Sequence, residues 1–204
     1  MSRIVNIEIF QVGLPPPVPR SDAIQSFVTQ ETPIVRIRCD EGLEGIGYSY
    51  TIGTGGSSVI ALLRDRLAPR LIGRGPAHIE AIWRDLMFVT HATTVGAITS
   101  LALAAIDTAI WDWRCRRDGQ PLWLAAGGAK QRIPVYTTEG GWLHLPVDSL
   151  VEQTVAAKEA GSKGAKIKVG KPHVSDDMAR LFALRDAVGD GFEIMVDEPV
   201  LHVE

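Results

Sequence analysis

The stretch GAKIKVG, residues 164–170, holds Lys166 and Lys168 one residue apart, with Ile167 and Val169 completing the alternation. Successive side chains of a strand point to opposite faces, so two ammonium groups share one face and two aliphatic groups share the other. Two uses explain such a face. On an edge strand, solvated lysines discourage edge-to-edge aggregation. Inside a barrel, near its C-terminal mouth, desolvation and mutual repulsion would lower the amine pKa values below the ordinary ~10.4. A neutral amine is then a usable general base. FEIMVD, residues 192–197, adds the complementary group. Its alternation sends Glu193, Met195 and Asp197 one way and Phe192, Ile194 and Val196 the other. Asp197 closes this strand 29 residues beyond Lys168. One βα unit fits in that interval, so the two strands should be neighbours, with Asp197 and Lys168 at adjacent C-terminal ends facing one site. A carboxylate there can hold Mg2+, which prefers oxygen ligands. It can also simply cap a turn.

The elements that must position these groups are legible in outline. Residues 133–138 (IPVYTT) read as a short apolar strand and 147–161 as an amphipathic helix closed by Gly161. AKIKVG is the next strand. Ser175 is a plausible N-cap for a helix over 176–189, whose acidic first turn suits the helix dipole. Strand and helix alternating at about 30-residue spacing means βαβ units and a parallel sheet. Before Pro134 the texture differs. Residues 3–14 alternate, with Ile4, Asn6 and Glu8 on one side and Val5, Ile7 and Ile9 on the other. PPPVPR at 15–20 forces an extended loop. Strands over 33–39 and 45–50, joined by the DEG turn at 40–42, complete a three-stranded antiparallel meander. The glycine-rich TIGTGGSS, 51–58, leads into helices predicted over 58–70, 77–89 and 95–117. In the last, Leu101, Ala105, Ile106, Ala109, Ile110 and Trp113 recur at helical spacing, and Gly119 and Pro121 end it. The chain divides into an α+β part over 1–130 and the opening of an α/β part over 131–204.

The totals restrict the partners. The 204 residues are 46% hydrophobic and 22% charged, ordinary values that allow a sizeable core, and the net charge is −3. Charges of both signs are scattered, which gives no nucleic-acid surface and no polybasic membrane anchor. No run approaches the ~20 apolar residues of a membrane span, and MSRIVNIEIFQV lacks a signal-peptide stretch. Cys39 and Cys115 match no metal-ligand spacing, and reduced thiols in a cytoplasmic protein are expected.

The meander, the segment ALAAIDTAIWDWRCRRDGQPLWLAAGG (102–128), the KIK motif and the IMVD strand end, in this order and spacing, resemble the mandelate racemase and muconate lactonizing enzyme-like branch of the enolase superfamily. The resemblance runs over nearly the whole chain. It implies an α+β capping domain followed by a modified TIM-type barrel, with the active site at the barrel mouth under two loops of the cap. It further implies Mg2+-dependent removal of the proton α to a carboxylate. That proton is far less acidic than a lysine, so the enolate needs a metal cation on the substrate carboxylate. By position Lys168 would be the general base. Lys166 would lower its pKa and help neutralise the enolate, and Asp197 would be the first of three carboxylate ligands. A homo-oligomer is implied for the full-length protein.

The Lys-x-Lys form is shared by racemases and by dehydratases of sugar acids. TTEGGWLHLP (137–146) and KVGKP (168–172) look most like the dehydratases of six-carbon aldaric acids. A small-molecule carboxylate substrate follows, turned into a 2-keto-3-deoxy acid, with racemisation, epimerisation or cycloisomerisation on the same scaffold as the alternative. Arg20 could pair with a distal carboxylate, or be an exposed arginine on a mobile loop. His144, after the first barrel strand, could touch substrate or have no role. Trp142 could close over the site or fill an interface. The glycines of TIGTGGSS suit a mobile lid. A phosphate cradle is disfavoured, because no GxxxxGK[ST] pattern is present.

One departure from the family pattern stands out. A TIM barrel takes eight strands and about 250 residues, whereas this sequence offers three barrel strands, so the barrel is expected to be incomplete. Asp197 is followed by Glu198-Pro199, as if about 25 residues of one βα repeat were missing between Asp197 and Glu198. Glu198 then matches the second glutamate of a Glu-Glu-Pro triplet. It is kept as a lesser metal-ligand candidate, and His202 is not a candidate by position. The chain alone is expected to be inactive and sticky, a piece of a longer enzyme. The reading of another class is a non-catalytic binding module.

Overall fold

The computed structural model describes residues 2–21, 24, 26–27 and 29–197. Two compact units separate: Met1–Pro15 with Val28–Ala129, and Pro16–Phe27 with Lys130–Glu204. The segment 16–27, assigned from sequence to the first part, therefore groups with the second. The proline run detaches it from β1, and its residues bond to loops of the second unit.

In the chain, β1 spans Ile4–Leu14, β2 Arg20–Ser21, β3 Ser26–Phe27, β4 Gln30–Cys39 and β5 Glu44–Tyr48. The first unit holds an antiparallel sheet in the order β1-β4-β5, while β2 and β3 pair with each other in the second unit. β1 breaks the simple alternation. Its register shifts between Ile4 and Asn6, so the buried Ile4 shares a core with the half-buried Ile7 and Ile9 while Val5 is left exposed. Next come α1 (Gly56–Leu62), a π turn over Leu63–Leu67 and a 3-10 turn over Ala68–Arg70. The single helix predicted over 58–70 is thus three geometries. Pro69 cannot donate to a helical ladder, and the backbone bonds lengthen and tighten around it. α2 spans Ile79–Val89, α3 Ala97–Asp118 and α4 Leu122–Ala125.

The buried stripe of α3, from Ala102 through Ala105, Ile106, Ala109 and Ile110 to Trp113, packs with Val35, Ile37, Val59, Leu63 and Leu67. Small residues set the spacing. A Cβ on Gly47 would clash with the Ala105 carbonyl oxygen and the Ala109 nitrogen, both helix backbone. Cys39 and Cys115 are free, and burial pushes the Cys39 thiol up to about 11.

In the second unit β6 (Tyr136–Thr137), α5 (Val147–Glu159), β7 (Gly164–Lys168), α6 (Val174–Val188) and β8 (Glu193–Asp197) alternate, and the strands pair in parallel in the order β6-β7-β8. β6 is shorter than the predicted 133–138, since Pro134 cannot join a ladder and only Tyr136 and Thr137 register with Gly164 and Ala165. α6 begins before Ser175, which lies inside the helix; His173 holds the N-cap position without a side-chain bond. Leu150, Ala165, Ile167, Leu184, Val188 and Phe192 form the core between helices and sheet. Val196 is exposed instead of joining Phe192 and Ile194 there. No described helix is long and apolar enough to cross a membrane.

Gly47→Ala is expected to destabilise the protein by about 3 kcal/mol, because the clash is with helix backbone that cannot rotate away. Equilibrium urea unfolding checks this; a midpoint equal to the parent's would contradict the close α3–β5 approach.

Candidate active site

Parallel pairing of β7 with β8 sets Lys166 opposite Met195 and Lys168 opposite Asp197. Ile167 is fully buried toward the helices, which turns both lysines to the other face of the sheet. The Nζ of Lys166 lies 2.7 Å from Asp197 Oδ2 and the Nζ of Lys168 2.8 Å from the same atom. The side chain of Lys168 is the most enclosed of the three, 18% exposed. Sequence reasoning expects the pair's amines to be lowered. For Lys166 the opposite holds: its bond to Asp197 keeps the amine above the ordinary lysine value. The bonds from Lys166 and then Lys168 hold the Asp197 carboxyl below the usual carboxylate range. A carboxylate within hydrogen-bond reach outweighs partial burial.

The other candidates divide. Arg20 Nη2 pairs with Glu139 Oε1 at 2.8 Å, and its guanidinium lies over the Trp142 ring, 5.8 Å from the centroid. Trp142 Nε1 donates to Glu139 Oε2 at 3.2 Å. The ammonium of Lys168 lies over the same indole at 5.9 Å, a cation–π contact worth about 0.5–1 kcal/mol when exposed. Arg20, Trp142 and Lys168 thus form one connected group. Arg20 is paired rather than solvated, so a substrate carboxylate would share it with Glu139. His144 is exposed, and none of these bonds involves it. Glu198 and His202 lie outside the described residues.

Two residues that matter here escape the sequence reading. Glu139 sits in TTEGGW, its N–H donating 3.1 Å to Thr137 Oγ1 while its carboxylate takes both Arg20 and Trp142. Its place as the acidic group beside Trp142 is the signal that could have found it. Arg180 is 3% exposed. It stands four and eight residues before the buried Leu184 and Val188, so a charge on the apolar stripe of α6 was the available sign. Its Nη1 donates to the Lys168 carbonyl and its Nη2 to the Trp142 carbonyl, each at 3.1 Å. Burial pulls its guanidinium below the ordinary arginine value, with Asp177 opposing that. Gly141 brings the loop onto β7: its carbonyl accepts the Lys168 N–H at 2.8 Å, and a Cβ there would clash with the Lys166 carbonyl and lie 3.2 Å from the Ile167 Cα.

Asp197 offers the hard oxygen donor that a magnesium ion prefers, at the end of a strand. Among the described residues no group of three or more His, Cys, Asp or Glu could hold a metal, so Asp197 fits as one ligand and not as a whole site.

Residues 4–127 match the mandelate racemase / muconate lactonizing enzyme N-terminal domain, and 149–198 match the enolase C-terminal domain-like family. The L-talarate/galactarate dehydratase of Salmonella typhimurium is 34% identical over 96% of this chain and 50% of its own length. The 3,6-anhydro-alpha-L-galactonate cycloisomerase of Streptomyces coelicolor is 35% identical over 95% of this chain and 53% of its own. The crystal structure of the Salmonella dehydratase, liganded with Mg and L-lyxarohydroxamate, superposes with a TM-score of 0.89 at 33% identity, over 96% of this chain and 51% of that one. The chain spans about half the length of these relatives. With the pattern of the N-terminal domain covering 4–127 and the enolase-like pattern following it, the chain belongs to the mandelate racemase / muconate lactonizing enzyme family of the enolase superfamily.

Proposed function

We propose that this chain carries the proton-abstracting side of a Mg2+-dependent active site that removes the proton α to a carboxylate and dehydrates a sugar diacid to a 2-keto-3-deoxy acid. The observation that supports this most is the convergence of Lys166 and Lys168 on one oxygen of Asp197 at adjacent strand ends. Lys168, the more enclosed amine, is the general base. It first loses its own proton to solvent, and its Nζ then takes the proton from the substrate's α-carbon. The electron pair of that C–H bond moves onto the carboxylate, and the ammonium of Lys166 offsets the charge that develops there. The β-hydroxyl takes a proton from the Lys168 ammonium, its C–O bond breaks to release water, and the enol so formed tautomerises to the keto acid. Asp197 would be one ligand of the magnesium ion, which when bound supplies Lewis-acid stabilisation of the substrate carboxylate.

The diacid class rests on Arg20, held by Glu139 and Trp142 beside Lys168, and on similarity to the talarate/galactarate dehydratase. A second reading, cycloisomerisation or racemisation, has support from the comparable similarity to the anhydrogalactonate cycloisomerase. Product analysis separates them, since only dehydration yields a 2-keto acid.

Incubated with an aldaric acid and Mg2+ in D2O, the full-length protein is expected to incorporate deuterium at the α-carbon. Lys168→Ala should slow that exchange by about 10²–10⁴-fold. Exchange at the parental rate in a folded Lys168→Ala protein would remove the base assignment. Arg20→Ala should cut kcat/KM for the diacid about 10–100-fold, the value of one charge-assisted hydrogen bond, and leave the matching monoacid nearly unchanged. An equal loss on both would show that Arg20 does not read the distal carboxylate.

A further inference from the structure

Burying a guanidinium is costly, and an ion pair with one carboxylate is weak grounds for stability. Arg180 is nearly enclosed, and its Nε is buried without a hydrogen-bond partner. A leucine on this stripe, in line with Leu184 and Val188, would satisfy the core more simply. What the guanidinium does instead is hold two backbone carbonyls from two different segments, that of Lys168 at the end of β7 and that of Trp142 in the loop after β6. Its neighbour one turn earlier completes the arrangement. Asp177 Oδ1 lies 3.5 Å from Arg180 Nη1, while Oδ2 accepts the N–H groups of Gly170 and Lys171 at 2.8 and 2.9 Å. The chain on both sides of the end of β7 is thereby fastened to one turn of α6.

We propose that Arg180, seated by Asp177, is a positioning residue that fixes the backbone of Lys168 against that of Trp142 and so sets where the Lys168 amine stands under the indole. This rests on the reading of Lys168 as the base. Arg180 itself is enclosed behind the sheet and touches neither substrate nor the reacting atoms. Its loss should therefore lower turnover without weakening substrate binding. A displacement of order 1 Å in a catalytic group is enough to cost about 10²-fold.

Arg180→Lys keeps the charge but cannot hold both carbonyls. Its kcat for α-proton exchange should fall 10- to 100-fold with KM within about threefold, at a melting temperature close to the parent's. Amide hydrogen exchange should quicken at 141–145 and 168–171 and stay unchanged in the core of the first unit. Parental kcat and parental protection in this variant would overturn the proposal. If Arg180→Lys does not fold, the double variant Asp177→Asn with Arg180→Met, which leaves no lone buried charge, decides by the same two readouts. A folded double variant with parental kcat overturns the proposal, and so does failure of both variants to fold, because Arg180 would then serve the fold alone. If the parent exchanges no α-proton, the proposed function fails by itself. Arg180 is then judged on amide protection, where a local loss supports its positioning role and none overturns it.

Discussion

Two like charges on one face of a short strand must meet an opposite charge, and here a single carboxylate oxygen serves both. Unit charges 4 Å apart attract by about 1 kcal/mol in bulk water and about 4 kcal/mol at the intermediate dielectric of a protein surface. At 2.7 and 2.8 Å the two lysines stand closer to Asp197 than that, so each attraction exceeds the 4 Å figure for the same dielectric. Register is what makes the meeting possible. Lys168 faces Asp197 only because β7 and β8 run parallel with Gly164 opposite Glu193. A slip by one residue would turn Lys166 and Lys168 into the helix-covered core and bring Ile167 out. The apolar cluster of Ala165, Ile167, Leu184 and Phe192 is therefore also what aims the amines.

Around that centre the constraints are backbone ones. Gly141 lies so close to β7 that no side chain fits, and its carbonyl takes the Lys168 N–H. Arg180 takes the carbonyl of the same lysine. Both polar backbone groups of Lys168 are thus bonded outside the β7–β8 ladder, which ties its Cα to the TTEGGW loop and to α6 at once. On the side-chain level Glu139 does for Trp142 and Arg20 what Asp197 does for the lysines: one carboxylate joins Trp142, three residues away, to Arg20, 119 residues away.

Much of this was legible before the structure. Periodicity located α2, α3, α5 and β7 within about two residues, since each has a strongly patterned apolar face. The strand alternation gave the lysines one face and Ile167 the other. What could not be read has physical reasons. The bulge after Ile4 flips Val5 outward and leaves no mark in composition. Ser175 has the chemistry of a cap, yet α6 starts before it at Val174, and Asp177 turns back to bond Gly170 and Lys171. Repulsion from Lys168 is visible in the sequence and predicts a low Lys166 amine, whereas the 2.7 Å distance to Asp197 that raises it is not. For Glu139 the neighbouring Trp142 is the one sign in the sequence, since its other partner, Arg20, lies across the chain.

The two units also differ in how they treat local rules. In the first, departures from good strand composition such as Gly45 and Gly47 are answered at once by the close approach of α3. Around the end of β7, several unfavourable choices coincide: paired lysines on one strand face, a buried arginine with an unpartnered Nε on an apolar stripe, and an indole facing two cations. Any one of them would be unremarkable. They are not independent, however, since Lys168 belongs to the first, bonds through its carbonyl to the second and lies over the third. Sequences keep such local conflicts where an arrangement is worth more than stability. The coincidence of these conflicts on one lysine is the physical reason to propose the chemistry there.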